Sequence, residues 1–338
     1  MQNKLKVSIL TPLYNHEVYL QERFRSIQEQ TYEDWEWIIV DDCSTDGSFE
    51  LAIRLAEGDS RIRVLRNLVN SGGMATAQRA FDESVGEIIY SCASDDSVTS
   101  NYLEEAVKAF HLNPDVGLFS SGSAYLDHEN RTWTGLRKPV SGYFTGAEFL
   151  RLMLASGHTL LNAPSRSFRR SVYIKAGGHC PVPGVKLNGF EDGFLYMRLA
   201  LFGDVLRVSQ RLAYYRLHDS NLSKVAFQQP NAERECFIRF KALDLFFEMA
   251  TEHSIAVSVT KTEAYQAAAD FIWRVLVLRL RKANAFEYAA EVEEEIYKYI
   301  PGYVPSVCGG MCLFTQALGQ FRQWMHDGHR LLTRRPLR

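Results

Sequence analysis

A chain of 338 residues with 46% hydrophobic side chains is long enough for one large domain plus an appendage, and apolar enough for a sizeable core. Its 38 basic and 40 acidic residues leave a formal net charge of −2, which gives no bulk attraction to nucleic acid and argues against such a partner. The six cysteines are scattered; only Cys308 and Cys312 lie close, and without a second paired cluster they do not make a zinc site, so buried or free thiols are expected.

The N-terminal MQNKLKVSIL enters a strand pattern directly. It has no extended apolar stretch and no small-residue cleavage site, so a secretory signal is not expected. The best membrane-span candidate, FIWRVLVLRL, is interrupted by Arg274 and Arg279 and falls short of the roughly 18 apolar residues that a span requires. The expectation is a cytoplasmic protein.

Lys6 to Leu10 reads as a β-branched strand, stopped by Thr11-Pro12, because proline cannot donate to a ladder. After the loop TPLYNHE, the apolar residues Val18, Leu20, Phe24 and Ile27 predict a first amphipathic helix up to Gln30. WEWIIV is a second strand ending in Asp41-Asp42. CSTDGS is turn and cap chemistry, and Phe49, Leu51, Ala52 and Leu55 supply the apolar face of a second helix. Ile62 to Leu65 makes a third strand, Asn67 to Gly73 a polar loop and Met74 to Ser84 a third helix. The strand from Glu87 to Ser91 then runs into Ser94-Asp95-Asp96. This alternation is that of a parallel sheet with right-handed crossovers.

Beyond it, Asn101 to Asn113 is predicted helical and Val116 to Ser121 a strand. The region up to about Arg170 is less regular, with a helix at Gly146 to Ala155 and a strand at Ser165 to Arg169. Phe190 to Phe202 forms a helix with Phe194, Met197 and Leu201 on one face and Glu191-Asp192 in its first turn, where the helix dipole favours carboxylates. Val205 to Val208 and Leu212 to Arg216 are closing strands, followed by His218. From about Val225 the pattern is helical, at Phe237 to Ala250, Thr262 to Arg281 and Ala285 to Tyr299. The expected division is a domain over 1–224 and a helical region over 225–338.

Alone, Asp95-Asp96 reads equally well as a solvated turn. Asp41-Asp42, however, ends another strand of the same predicted sheet, so a crevice at its carboxyl edge would carry two acidic clusters. Repelling carboxylates brought together call for a cation, and oxygen ligands suit Mg²⁺ or Mn²⁺. Asn67 to Gly73 lacks the G-x-G-x-x-G spacing of a dinucleotide fingerprint. Arg137, Lys138, Arg166, Arg169 and Arg170 read as a solvated charged surface, with an acceptor or phosphate contact as the alternative.

Five ordered segments carry a resemblance: VSILTPLYNHEVYLQERFRSIQEQTYEDWEWIIVDDCSTDGS, RNLVNSGG, SCASDDSV, GFEDGFLYMRLALFGD and YYRLHDSNLS. Together they resemble the inverting glycosyltransferases of family 2, over about the first 225 residues. The resemblance implies a GT-A fold, an α/β architecture with a Rossmann-like, mostly parallel sheet flanked by helices, here with a helical C-terminal extension. It also implies transfer of a sugar from a nucleotide-diphosphate donor, expected to be UDP-linked, to a hydroxyl of a glycan or lipid-linked saccharide, aided by Mn²⁺ or Mg²⁺. The alternative is a non-catalytic GT-A-like protein that binds a glycan or a partner.

By this resemblance Thr11, Pro12, Tyr14 and Glu17 match the loop that holds base and ribose, and Asp42 the carboxylate on the uracil or ribose side. Asn70 and Gly72 fit the loop beside the diphosphate, and Ser94 joins the donor-binding set. Asp95 matches the last carboxylate of the Asp-any-Asp metal motif, with Asp96 after it. One departure is plain: the first aspartate of that motif falls on Ala93, which cannot ligate. His218 matches a histidine near the metal; a solvent-exposed strand-end histidine is the bland alternative. Asp192 matches the catalytic base, or is merely half of a helix N-terminal acidic pair. The helical C-terminal region would pack on the catalytic domain, mediate a homo-oligomer or receive the acceptor. Its tail, LGQFRQWMHDGHRLLTRRPLR, with five arginines and one aspartate, suits either the inner face of an anionic membrane or a plain basic surface.

Overall fold

Runs of apolar residues become strands buried on both faces, because a central parallel strand has no polar side to present. Every residue of WEWIIVD, Trp35–Asp41 (β2), is buried, and so is all but one of Val7–Leu13 (β1). The structure is a computed structural model that describes residues 4–127, 131–133, 141–156, 161, 163–179, 191–221, 232–278, 281 and 286–305. The remaining strands are Ile62–Arg66 (β3), Ile88–Ser91 (β4), Ser97–Val98 (β5), Val116–Leu126 (β6), Thr132–Trp133 (β7), Gly142–Phe144 (β8), Arg166–Arg169 (β9) and Asp204–Arg216 (β10). Among the described residues they form one sheet in the order β3-β2-β1-β4-β9-β6-β10-β5, with β7 on β6 and β8 on β10.

The pairs β1–β2, β2–β3 and β1–β4 are parallel, as the alternating pattern predicts. β9 enters antiparallel between β4 and β6. β1 runs past Pro12 to Leu13 on its β2 side, where it stays paired as far as Asp41, whereas the β4 ladder stops at Leu10. Leu10 O accepts from Cys92 N at 3.1 Å. Residues two apart face the same way in a strand, so Pro12 turns its missing N–H to the side where the ladder has already ended. The proline therefore ends one pairing and spares the other. The two predicted closing strands are likewise one strand, β10, with register shifts between Arg207 and Arg211 and between Arg211 and Ala213, the mark of bulges that bend it.

Side-chain alternation splits the core between the two sheet faces. On one face, Ile9, Trp37, Ile39 and Tyr90 pack with Leu20, Phe24 and Ile27 of Glu17–Gln28 (α1) and with Tyr102, Leu103 and Phe110 of Tyr102–Leu112 (α4). Val18, predicted for that apolar face, is 80% exposed; two residues before Leu20, it points almost opposite to it on a helix. On the other face, Leu10, Ile38, Val40 and Ile89 meet Ala80 and Phe81 of Gly73–Asp82 (α3), Phe149 of Gly146–Ser156 (α5) and Phe194 and Leu195 of Glu191–Phe202 (α7). The short helices Ser48–Ala56 (α2) and Arg170–Lys175 (α6) complete the layers.

The C-terminal helices are Ala232–Glu252 (α8), Lys261–Ile272 (α9), which continues through the π-helical turn Trp273–Val277, and Phe286–Tyr299 (α10). A capping box at Thr260 and Glu263 opens α9. Ile238, Phe246, Phe271, Val292 and Ile296 join the same apolar cluster as Phe149 and Phe194, so these helices share the core of the sheet. No described helix is long and apolar enough to cross a membrane. The expected boundary near Lys224, the pair Cys308 and Cys312 and the basic tail lie outside the described residues.

Behind α7, Arg198 donates to Ala176 O at 2.7 Å and Gly178 O at 2.9 Å, and His179 N donates to Gln78 Oε1 at 3.0 Å. His179 is buried, with Nδ1 against the Tyr173 hydroxyl. Burial first, then the Arg166 and Arg198 charges, pushes its pKa from 6.5 down to about 3. The folded chain thus keeps His179 neutral where the unfolded chain takes up a proton, so its presence costs stability as pH falls from 6.5 to about 3. The slope is about 1.4 kcal/mol per pH unit. Urea unfolding of wild type and His179→Gln across that window is expected to show the wild type losing stability relative to the variant as pH falls, and no divergence above pH 7.

Candidate active site

Strand order reverses between β1 and β4, and the loops leaving their carboxyl ends diverge there to open a crevice, the usual ligand position in an open α/β sheet. The β1 loop brings His16, the β4 loop brings Ser94, Asp95 and Asp96, and the end of β10 brings His218. His16 Nδ1 lies 2.7 Å from Ser94 Oγ. His218 Nε2 lies 2.8 Å from Asp95 Oδ2, and its Nδ1 is 2.9 Å from Ser220 Oγ. Tyr19 packs on the His218 ring with centroids 4.9 Å apart.

The acidic turn is held from behind by Arg216, which is 2% exposed. Its N–H donates to Asp96 Oδ1 at 2.9 Å, Nε to Asp95 O at 2.9 Å, Nη1 to Asp127 O at 2.8 Å and Nη2 to Glu22 Oε2 at 2.5 Å. The guanidinium also sits 5.0 Å from the Tyr19 ring centroid.

Two adjacent buried carboxyls cannot both ionise cheaply. Burial pushes Asp95 up, but the His218 hydrogen bond and the nearby His16 and His218 outweigh it and hold the group below the ordinary carboxylate range. Asp96 goes the other way: burial first, then the Asp95 charge, raises it well above that range. The two neighbours are thus driven in opposite directions, Asp95 toward its ionised form and Asp96 toward its protonated form. Burial also lowers the pKa of His16 despite Asp95 nearby, which keeps a neutral imidazole beside the carboxylate.

The remaining predicted residues separate into different tasks. Asp42 is 3% exposed. It anchors the loop from Asn67 to Gly72: Oδ1 accepts from Asn67 Nδ2 at 2.7 Å and Ser71 N at 2.8 Å, and Oδ2 from Gly72 N at 2.8 Å. Gly72 holds φ +86° as it enters α3, a conformation that favours glycine, while Asn70 is exposed. Thr11 turns away from the crevice. Its side chain is wholly buried and accepts from the Trp37 indole at 2.9 Å, so only its backbone can serve a ligand. Glu17 accepts from Gly47 N at 3.1 Å and its own N–H donates to Asp46 at 3.2 Å, tying the β1 and β2 loops together. Pro12 is half-buried, Tyr14 stands 44% exposed at the rim, and Ala93 offers no ligand atom.

Asp192 sits in the first turn of α7, apart from this cluster, its side chain 44% exposed. Arg166 Nη2 donates to its Oδ1 at 2.9 Å. Arg166 is itself buried at 5% exposure, under the ring and hydroxyl of Tyr196. The surface reading of the arginines is thus corrected. Arg169 caps Val116 O and Asn113 O, and Arg170 binds Gly86 O and Ser84 Oγ; Arg137 and Lys138 lie outside the described residues. His16 and Arg216 went unassigned in the sequence. The available signal for His16 was its position one loop after the first strand, at the future switch point.

The sequence model described as glycosyl transferase family 2 matches residues 8–177, half of the chain. The chain belongs to that family. Among its relatives, TuaG of Bacillus subtilis, a glycosyltransferase named for teichuronic acid biosynthesis, is 34% identical over 246 residues, 72% of this chain and 91% of TuaG. GlyG of Streptococcus pneumoniae is 40% identical over 99 residues, 29% of this chain and 33% of GlyG. The fold matches that of S. aureus TarS 1-349 in complex with UDP-GlcNAc, with TM-score 0.61 and 15% identity over 90% of this chain and 95% of that one. It also matches the mannosyltransferase PcManGT of Pyrobaculum calidifontis with GDP-Man and Mn²⁺, at TM-score 0.53 and 18% identity over 97% of this chain and 85% of that one. The architecture of this family 2 glycosyltransferase is GT-A.

The donor set of the crevice fits a divalent cation. Asp95 is buried, and its Oδ1 is shut away from solvent without a hydrogen-bond partner, a deficit that a ligated ion would remove. Asp42 is expected to hold the second wall of the crevice through its three hydrogen bonds. In Asp42→Ala, amide hydrogen exchange at Ser71 and Gly72 should accelerate at least about tenfold, the loss of roughly one hydrogen bond, with amides of β2 unchanged.

Proposed function

We propose that this glycosyltransferase is an inverting enzyme that moves a sugar from a nucleoside-diphosphate donor, UDP-linked in our reading, to a hydroxyl of a growing polysaccharide or lipid-linked saccharide. The observation that carries the reading is the buried carboxylate of Asp95 facing His218 at 2.8 Å in the switch-point crevice. The UDP-GlcNAc of TarS and the GDP-Man and Mn²⁺ of PcManGT support a nucleotide-sugar donor; the name of TuaG supports a cell-surface polysaccharide.

In this reading residues 1–224 do the chemistry, and the helices beyond them support it. Tyr14 at the rim and the backbone of Thr11 and Pro12 border the base, with Glu17 and Asp42 fixing the loops around it. Asn70, Gly72 and Ser94 border the diphosphate. Asp95 and His218 hold a divalent cation, which when bound supplies positive charge against the departing diphosphate. Asp192 takes the proton of the acceptor hydroxyl as its oxygen bonds to the anomeric carbon. The bond from that carbon to the diphosphate oxygen breaks on the opposite face, and the nucleoside diphosphate leaves with the electron pair, inverting the anomeric centre. Arg166 grips Asp192 through one oxygen, so the other can receive the proton. The grip fixes the rotamer of a half-exposed side chain, which general-base catalysis needs.

Screening nucleotide sugars by thermal stabilisation and by nucleotide release, with Mn²⁺, is expected to reveal a UDP-sugar donor; stabilisation by no nucleotide sugar contradicts the reading. With that donor, Asp192→Asn should lower kcat about 10²- to 10⁴-fold and leave donor Kd within about twofold. Turnover at the wild-type rate removes Asp192 as the base.

A further inference from the structure

Ala93 stands where the metal motif has its first carboxylate, and this side of the cation site would otherwise lack a protein ligand. Another residue stands beside Asp95 and His218. The ligand atoms of His16, Asp95 and His218 all lie within 4.8 Å of one another, and no other such group of three occurs among the described residues. Bonds of about 2.1 Å place neighbouring ligand atoms about 3 Å apart and opposite ones about 4.2 Å apart, so from 4.8 Å a closure of about 0.6 Å reaches an opposite position and about 1.8 Å a neighbouring one. His218 Nε2 and Asp95 Oδ2, at 2.8 Å, already have the spacing of neighbouring ligands.

Two further observations mark the cluster as a built site. Asp95 is 7% exposed and its Oδ1 is buried with no hydrogen-bond partner. Each imidazole also has its Nδ1 against a serine hydroxyl, Ser94 at 2.7 Å for His16 and Ser220 at 2.9 Å for His218. Such outer partners fix ring orientation and tautomer in metal sites and leave Nε2 as the ligating atom. The two rings stand edge to face, 83° apart, with centroids at 5.7 Å, so neither stacks against the other and closes the space between them.

We infer that His16 is a third protein ligand of the cation, replacing the carboxylate lost at Ala93, and that it makes the site a two-histidine, one-carboxylate set. Two nitrogens and one oxygen change the metal preference. Imidazole suits later first-row cations, whereas Mg²⁺ favours oxygen and water, so the chain selects Mn²⁺ over Mg²⁺ more strongly than an all-carboxylate motif would. The inference rests on the proposed donor chemistry only for the use of the ion; binding of the ion itself is measured without donor or turnover.

The test is a titration of the full chain with MnCl₂ alone, followed by electron paramagnetic resonance, with double-resonance spectra of ¹⁵N-histidine-labelled protein. One bound Mn²⁺ coupled to two imidazole nitrogens is expected for the wild type, and coupling to one or none overturns the inference without any variant being needed. His16→Asn should leave one nitrogen coupling and weaken Mn²⁺ by at least the roughly 10- to 100-fold that loss of an outer partner costs. Adding Ala93→Asp to His16→Asn should restore affinity and narrow the preference for Mn²⁺ over Mg²⁺. Unchanged Mn²⁺ affinity in His16→Asn overturns the inference. A nucleotide-sugar screen that fails while both nitrogen couplings are present would refute the donor reading and leave this ligand set standing.

Discussion

A buried guanidinium fixes the site. Arg216 ends β10; its backbone N–H meets Asp96 Oδ1, and its guanidinium binds the carbonyls of Asp95 and Asp127 and the carboxylate of Glu22 on α1. A charge at 2% exposure is tolerable only when its donors are satisfied, and these partners come from the turn after β4, the end of β6 and the first helix. Satisfying the guanidinium thus brings together three segments far apart in the chain. His218, two residues on, is delivered to Asp95 by the same anchoring. Removing the Arg216 side chain would take the donor from Asp95 O, Asp127 O and Glu22 Oε2 at once.

From this anchor the two acidic pairs take opposite roles. In Asp95-Asp96 the carboxyls divide, the pKa of Asp95 held down by its histidine neighbours and that of Asp96 raised by burial and by Asp95, with Asp96 receiving the Arg216 N–H. In Asp41-Asp42 both are spent on architecture: Asp41 accepts from Ser44 N and pairs with Arg66, and Asp42 holds the loop from Asn67 to Gly72. A crevice with two acidic walls would repel a diphosphate. With both Asp42 oxygens taken by the Asn67 amide and the Ser71 and Gly72 N–H groups, the second wall offers its loop instead, and Asp95 is left as the carboxylate beside the histidines.

The fold was legible because the strands are long apolar runs and the crossovers amphipathic helices; β1 to β4 and the helices between them follow the spacing of their residues. Sequence order could not reveal β9 entering antiparallel beside β4, since that depends on which edge a distant segment finds. Val18 looked like part of an apolar face because its residue type fits, while helical angle puts it opposite Leu20. At the site, Asp95, His218 and Asp192 were singled out from motif positions, and the structure brings Asp95 and His218 together. The motif registers a residue and not the direction of its side chain, and at Thr11 alternation aims the hydroxyl at Trp37. His16 escaped because a lone histidine in a loop looks ordinary until the fold sets it beside Ser94 and Asp95, and Arg166 looked like surface charge until the fold buried it against Asp192.

The account turns on a cation held at the β1–β4 switch point with the donor diphosphate beside it. Crystals grown with MnCl₂ and UDP, measured at the manganese absorption edge, test this directly. The account predicts one anomalous peak within bonding distance of Asp95 and His218, with the UDP diphosphate on its open side. A manganese peak at Asp41 and Asp42, or UDP bound away from the crevice with no ion at Asp95, would contradict it.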